Sequence, residues 1–75
     1  MGNQRLIFKL AISADAYLSV YKGHAKTIST VAVDGRRVEF SAEKVRGFLT
    51  RAGVNGVFEM EITAKKKFLS IKRLR

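Results

Sequence analysis

The chain contains no cysteine, proline or tryptophan, and its single histidine is His24. Without cysteine, neither a disulfide framework nor a thiolate metal site can form. No carboxylate stands at a spacing from His24 that would complete a metal site or a catalytic triad. A solvated imidazole after Gly23 is the simpler interpretation of this residue. We therefore expect a protein that is not an enzyme and that has no metal or cofactor.

Long apolar segments are also missing. No apolar run approaches the roughly 18 residues that suggest a membrane span. Near the start of the chain, Arg5 and Lys9 interrupt the apolar stretch that a signal peptide would need. These absences predict a cytoplasmic protein with no membrane span.

Positive charge is what the chain has in excess. Fifteen Lys and Arg face six Asp and Glu, which gives a net charge of +9 on 75 residues. A surplus of this size attracts anions such as nucleic acid, acidic proteins or lipid headgroups, without specifying which. Hydrophobic residues nevertheless make up 47% of the chain, too many for a disordered basic tail. We expect one folded domain over residues 1–75, with an ordered core over about 5–74.

The first part of the chain predicts a strand followed by a helix. Apolar residues alternate from Leu6 to Ile12, which is typical of a strand with one buried face. Ser13 is a suitable N-cap for a short helix over Ala14–Lys22, with Leu18 and Tyr21 facing inward. Gly23 would end this helix.

A hairpin and a second helix are expected next. The Asp34-Gly35 pair predicts a turn between strands over 27–33 and 37–40. Ser41 then resembles an N-cap, and apolar residues follow it at helical spacing. We expect this helix to end at Gly53, and Gly47 inside it to be mildly destabilising. The apolar stripe consists of Val45, Phe48, Leu49 and Ala52.

The segment Gly53–Gly56 resembles a phosphate loop only in its glycine content. Phosphate loops run from a strand into the N-terminus of a helix, whereas this segment is expected to follow a helix and precede a strand. A helix end and a tight turn are therefore the predicted structure.

Two strands over 57–63 and 68–74 complete the predicted fold. A loop at 64–67 would place Met60 opposite Ile71, Ile62 opposite Leu69, and Glu59 opposite Lys72 as a favourable cross-strand pair. The expected class is α+β, in the order β-α-β-β-α-β-β. The architecture is a five-stranded bent antiparallel sheet or small open barrel with two short helices.

Eleven bases and one aromatic residue are the candidate contacts to an anionic partner. Phe68 is expected to share a strand face with Lys72, so that a nucleobase could stack there. A solvated basic surface explains the same residues equally well. The candidates are Arg36, Arg37, Lys44, Arg46, Arg51, Lys65, Lys66, Lys67, Phe68, Lys72, Arg73 and Arg75.

The turns and aromatic residues together resemble a family of small uncharacterised proteobacterial proteins, domain of unknown function 2835. The most specific residues are Gly35-Arg36, Val38, Phe40, Ala42, Val45-Arg46, Phe48-Leu49-Thr50, Gly53-Val54, Gly56 and Phe58, followed by Lys67-Phe68, Ser70-Ile71 and Arg73-Leu74. The chain differs from the family at Ser41 and Gly47, where the family has prolines. The resemblance implies a fold and a bacterial origin, and no activity.

Two roles remain open for the family-like Arg36, Arg46 and Arg73. They contact an anionic partner, or they stabilise turns by donating to backbone carbonyls. The leading functional hypothesis is a non-catalytic module that binds RNA or single-stranded DNA with little sequence preference. The alternative is an adaptor that docks an acidic protein, for example through an exposed sheet edge.

Overall fold

The computed structural model of the protein describes residues 2–23 and 26–75, so that His24 lies outside the described residues. Within them the chain forms five strands, one α-helix and one 3₁₀ helix. In chain order they are β1 (Gln4–Ile12), α1 (Ala14–Lys22), β2 (Thr27–Val31), β3 (Arg37–Ser41), the 3₁₀ helix (Ala42–Phe48), β4 (Val54–Ile62) and β5 (Phe68–Arg73). The predicted α+β class and element order are confirmed. None of the described helices is long and apolar enough to cross a membrane.

The strands form two open antiparallel sheets. One has three strands in the order β1-β4-β5, and the other is the β2–β3 hairpin. The predicted hairpin around Asp34 and Gly35 is confirmed, because its strands pair with Ile28 opposite Phe40. The hairpin lies beside β1, where the Val33 N–H donates to the Ile7 carbonyl at 2.7 Å.

The core lies between the two sheets and the helices. Alternate residues of β1 and β4 are buried on one face of the three-stranded sheet, as predicted for β1. Phe8 joins the two sheets, because its ring centroid lies 5.5 Å from that of Phe40 on β3 and 6.1 Å from that of Phe58 on β4. Phe48 of the 3₁₀ helix meets Phe58 edge-on at 5.1 Å. Aromatic contacts of this kind hold the layers in register.

Helix α1 has the predicted bounds, and Ser13 caps it by accepting from the Ala16 N–H at 3.2 Å. Its most buried residue is Tyr17, which the sequence pattern did not single out, while Leu18 and Tyr21 are half-buried. The Tyr17 hydroxyl donates to the buried carbonyl of Ala42 at 2.6 Å. This bond fixes α1 against the start of the 3₁₀ helix.

The second helix differs from its prediction. It is a 3₁₀ helix that ends at Phe48, and Ala52 is exposed rather than part of a buried stripe. A 3₁₀ helix has three residues per turn, so residues three apart lie on one line. Ala42 and Val45 satisfy that spacing and are both fully buried. The α-helical spacing used for the prediction therefore extended the helix too far.

Gly53 does not end a helix, and the segment after it is not a turn. β4 begins at Val54, three residues earlier than predicted, and Gly53 pairs with Thr50 in a tight turn before it. The backbone of Gly53 has a φ of +107°, and a Cβ there would overlap the carbonyl oxygen of Ile12. A glycine is required because this turn packs directly against the junction of β1 and α1.

The pairing of β4 with β5 is confirmed for two of its three predicted pairs. Met60 lies opposite Ile71, and Glu59 lies opposite Lys72. The register then shifts between Glu61 and Ile62, so that Phe68, not Leu69, lies opposite Ile62. Leu69 is left 47% exposed. A β-bulge of this kind adds one residue to one strand and cannot be read from alternation alone.

Candidate anion-binding surface

Two loops that are distant in sequence both lie beside the start of β1, at one end of the three-stranded sheet. Gln4 pairs with Ile62, so the start of β1 lies beside the loop at 63–67 that joins β4 to β5. From the other side, the Arg36 side chain at the β2–β3 turn reaches the Gln4 side chain and the Arg5 carbonyl, both at 3.1 Å. We call this region the basic end; its bases are Arg5, Arg36, Arg37, Lys65, Lys66 and Lys67.

The loop at 63–67, which we call the lysine loop, has a hydrogen-bonded backbone and exposed lysine side chains. The Thr63 hydroxyl accepts from the Lys65 N–H at 3.2 Å and from the Lys67 N–H at 3.1 Å. Lys66 has a φ of +69°, and all three lysines are exposed. The described residues form two ion pairs, Arg36 with Asp34 and Lys72 with Glu59, and neither of them involves this loop. The loop therefore presents three uncompensated charges from a fixed backbone.

Arg36 is bound within the protein. Its guanidinium lies 2.6 Å from an Asp34 carboxylate oxygen and also donates to the Arg5 carbonyl. The hydrogen bonds that Arg36 donates to this carboxylate, mainly from its side chain and also from its backbone N–H, hold the pKa of Asp34 below its ordinary value. Arg36 thus has the turn-stabilising role. Arg37 is exposed and belongs to neither ion pair of the described residues.

Two further candidate bases, Arg46 and Lys44, contact aromatic rings. Arg46 donates to the Tyr21 hydroxyl at 3.1 Å, and its guanidinium carbon lies 5.2 Å from the centre of that ring. The Lys44 ammonium lies 4.6 Å from the centre of the Phe68 ring. Cation–π contacts of this kind connect the 3₁₀ helix to α1 and to β5. Lys44 therefore lies at the margin of the basic end, since Phe68 directly follows Lys67.

Phe68 and Lys72 do not share a strand face, which corrects the prediction of a stacking site. Because of the bulge, Phe68 lies opposite buried Ile62 and packs against the core. Lys72 lies opposite Glu59 on the other face, with its ammonium 3.4 Å from the carboxylate. A nucleobase could not lie between these two side chains.

The remaining candidates lie at the opposite end of the sheet. The side chain of Arg73 and the carbonyl of Arg75 occupy the space that a Cβ at Gly56 would take. The Val57 N–H donates to the Arg75 carbonyl at 2.8 Å, which continues the pairing beyond β5. Arg51 lies in the turn before β4 and is also remote from the basic end. These three arginines are not part of one surface with the lysine loop.

Five of the candidate bases therefore lie on the two loops at this end of the sheet, with one base that the sequence did not indicate. Arg5 joins the basic end because it lies opposite Glu61, next to the lysine loop. Only the register of β1 on β4 could have revealed it. Among the described residues, no three acidic or imidazole side chains come together as metal ligands.

One family model matches the chain, over residues 4–74; its description is "Protein of unknown function (DUF2835)". The chain belongs to this family. No curated protein and no solved structure matches it. Two family-like arginines, Arg36 and Arg46, form internal contacts, and Arg73 lies across Gly56. The shared arginines are thus tied to the fold, whereas the lysine loop carries exposed charges that belong to neither ion pair of the described residues.

Proposed function

We propose that this protein is a non-catalytic module that binds RNA or single-stranded DNA through the basic end. The observation that supports the proposal is that both loops lie beside Gln4, and that Arg37 and the three lysines of 65–67 belong to neither ion pair of the described residues. Closely spaced cations of this kind bind the phosphate backbone and release its counterions.

Contacts to phosphates, not to bases, are expected to supply the affinity. No aromatic side chain in the described part of the chain is exposed, and the Phe68 ring is already covered by Lys44. Stacking on aromatic rings is the usual means of binding unpaired bases. Without it, binding depends on phosphate charge and carries little sequence information.

Binding of a labelled RNA of mixed sequence, measured over a series of salt concentrations, tests the proposal. For single strands, log affinity should fall with log salt by about 0.7 per phosphate contacted. Replacing Lys65, Lys66 and Lys67 with Gln should reduce that slope by about 2 if each lysine contacts one phosphate. RNA that co-purifies with the protein must be removed beforehand.

The matched control replaces Lys9, Lys22 and Lys26 with Gln, which removes the same charge outside the basic end. This variant should keep nearly the whole slope of the unaltered protein. Equal weakening in the two triple variants would show general attraction to charge and would contradict a site at the basic end. Absence of RNA and DNA binding at low salt would refute the proposal altogether.

An acidic protein is the second candidate partner, since β5 lies at a sheet edge and carries Lys72 and Arg73.

We also propose that the protein is located in the cytoplasm. Recovery of the protein in a membrane or extracytoplasmic fraction of its cell would contradict that location.

A further inference from the structure

β5 has a strand on only one side. In the three-stranded sheet its neighbour is β4, and no other described strand pairs with it. The 3₁₀ helix covers one face of β5 through the contact of Lys44 with Phe68, and it leaves the strand edge open. An open edge offers backbone donors and acceptors to another chain.

The hydrogen-bond pattern identifies which backbone groups are offered. Leu74 N–H donates to the Val57 carbonyl, so Val57 and every second residue of β4 direct their backbone groups toward β5. Lys72 lies opposite Glu59 and therefore bonds to β4. The N–H and C=O groups of Ile71 and Arg73 consequently point away from the sheet.

Charge decides which chain could bind there. Lys72 and Arg73 lie on the strand itself, the loop at 65–67 precedes it and Arg75 follows it. A second copy paired antiparallel to β5 would bring these bases close to their own counterparts, which is unfavourable. An acidic extended segment could instead form ion pairs with Arg73, which belongs to neither ion pair of the described residues, whereas Lys72 is already paired with Glu59. Lysines on an edge strand thus discourage self-association without blocking an acidic partner.

We propose that the β5 edge binds an extended acidic segment of a partner protein, which adds to the sheet as a fourth strand. The segment bonds to the outward backbone groups of Ile71 and Arg73, and the acidic side chains on one of its faces meet Arg73. Leu69, which is 47% exposed, supplies an apolar contact at the start of the strand. Strand addition of this kind obtains affinity from the main chain and specificity from side chains. This inference does not depend on RNA binding at the basic end.

A ten-residue peptide of alternating Glu and Val is the probe. Two further peptides keep its side chains and charge but carry N-methyl groups, one on the Glu amides and the other on the Val amides. Strand addition uses one edge of the peptide, so one methylated peptide should bind at least about tenfold more weakly, because two or more hydrogen bonds are lost. If both methylated peptides bind as well as the parent, attraction is by charge alone and the proposal is wrong.

Amide hydrogen exchange on the unaltered protein tests the position of the peptide. The Ile71 and Arg73 amides should exchange rapidly in the free protein and slowly in the complex. The Lys72 amide, already bonded to β4, should change little and serves as the internal control. Slowing elsewhere, with none at Ile71 and Arg73, would overturn the proposal.

A pair of variants separates the backbone from the side chain. Arg73→Ala removes the guanidinium, and Arg73→Pro additionally removes the outward N–H, a change that edge strands tolerate. The proline variant should bind the peptide about fivefold more weakly than the alanine variant, whereas the two should bind RNA equally. Circular dichroism verifies that both fold. If the alanine and proline variants bind the peptide with equal affinity, there is no peptide site at this edge. Slower exchange of the Ile71 and Arg73 amides in the presence of RNA would also contradict a peptide site.

Discussion

The two ends of the three-stranded sheet are built in different ways. At the packed end, the turn at Thr50–Gly53 presses against the junction of β1 and α1, and a Cβ at Gly53 would overlap the Ile12 carbonyl. At the basic end, two loops project exposed bases, and hydrogen bonds hold only their backbones and Arg36. Side chains at the packed end are constrained by contact, whereas those of the lysine loop are exposed and belong to neither ion pair of the described residues.

This difference indicates where the molecule can change without losing its fold. Close packing makes stability sensitive to single atoms, because interiors relax only partly around an added group. Exposed charges contribute little to stability, since water screens them. We therefore expect substitutions at the packed end to change stability and those in the lysine loop to change binding.

Gly53→Ala should have the largest effect. The new Cβ overlaps backbone atoms and the backbone keeps a positive φ, so we expect destabilisation by about 3 kcal/mol or more. For a chain of this size that lowers Tm by about 15 °C or prevents folding. Thermal unfolding followed by circular dichroism measures it.

Gly47→Ala is the matched control, because a Cβ at Gly47 would meet no atom within 4 Å. We expect a change of about 1 kcal/mol or less in either direction. If the two alanine variants are equally stable, the packed end is not sensitive to an added Cβ, and the prediction is wrong.

Tyr17→Phe should have the next largest effect, because it leaves the buried Ala42 carbonyl without its donor. The expected cost is about 1–2 kcal/mol, measured by denaturant unfolding. Tyr21→Phe, which alters a half-buried hydroxyl, serves as the control and should cost less. A negligible effect of Tyr17→Phe would show that the bond does not hold α1 in place.

The same tyrosine should produce a stability loss in alkali. Burial raises the pKa of Tyr17, so its contribution is complete below the ordinary tyrosine pKa of about 10 and is lost as pH rises through the raised value. The difference in unfolding midpoint between the unaltered protein and Tyr17→Phe should therefore be smaller at pH 11 than at pH 7. A constant difference would contradict this assignment.

Arg36→Gln and Arg37→Gln remove the same charge from neighbouring positions and should differ slightly. Arg36→Gln loses the contacts to Asp34, Gln4 and the Arg5 carbonyl, and should lower Tm by about 3 °C. Arg37→Gln should leave Tm unchanged. Equal Tm values would mean that the Arg36 contacts do not stabilise the turn.

Acid provides a second measure of that contact. Arg36 lowers the pKa of Asp34, so the contribution of the pair is complete above the ordinary pKa of Asp and is lost as pH falls through the lowered value. In Arg36→Gln this step should become smaller in the dependence of Tm on pH, since only the backbone N–H of residue 36 still donates to the carboxylate. An unchanged step would contradict a contribution from the Arg36 side chain.

Local patterns predicted those features that depend on neighbours in the chain. The bounds of α1 follow from the Ser13 cap, and the β2–β3 hairpin follows from Asp34-Gly35. The pairing of Met60 with Ile71 follows from alternation. Prediction failed at the bulge near Leu69 and at the 3₁₀ helix, where packing across the core selected a geometry that the local pattern did not indicate.

Charge was predicted in amount but not in arrangement. The composition establishes a surplus of nine positive charges, and alternation predicted that Glu59 compensates Lys72. The sequence did not show that Asp34 compensates Arg36 or that Arg5 lies at the basic end. The first depends on the conformation of the turn and the second on the register of β1 on β4.

The sequence by itself determined the class of fold, the order of its elements, the family and the strength of the positive charge, because each depends on composition or on residues close in the chain. Only the tertiary structure decided that Gly53 is a packing residue, that Phe68 faces the core, and that one end of the sheet is basic while the β5 edge is open. The physical reason is that contacts between distant segments bring these groups together, and pairing in register sets which side chains meet.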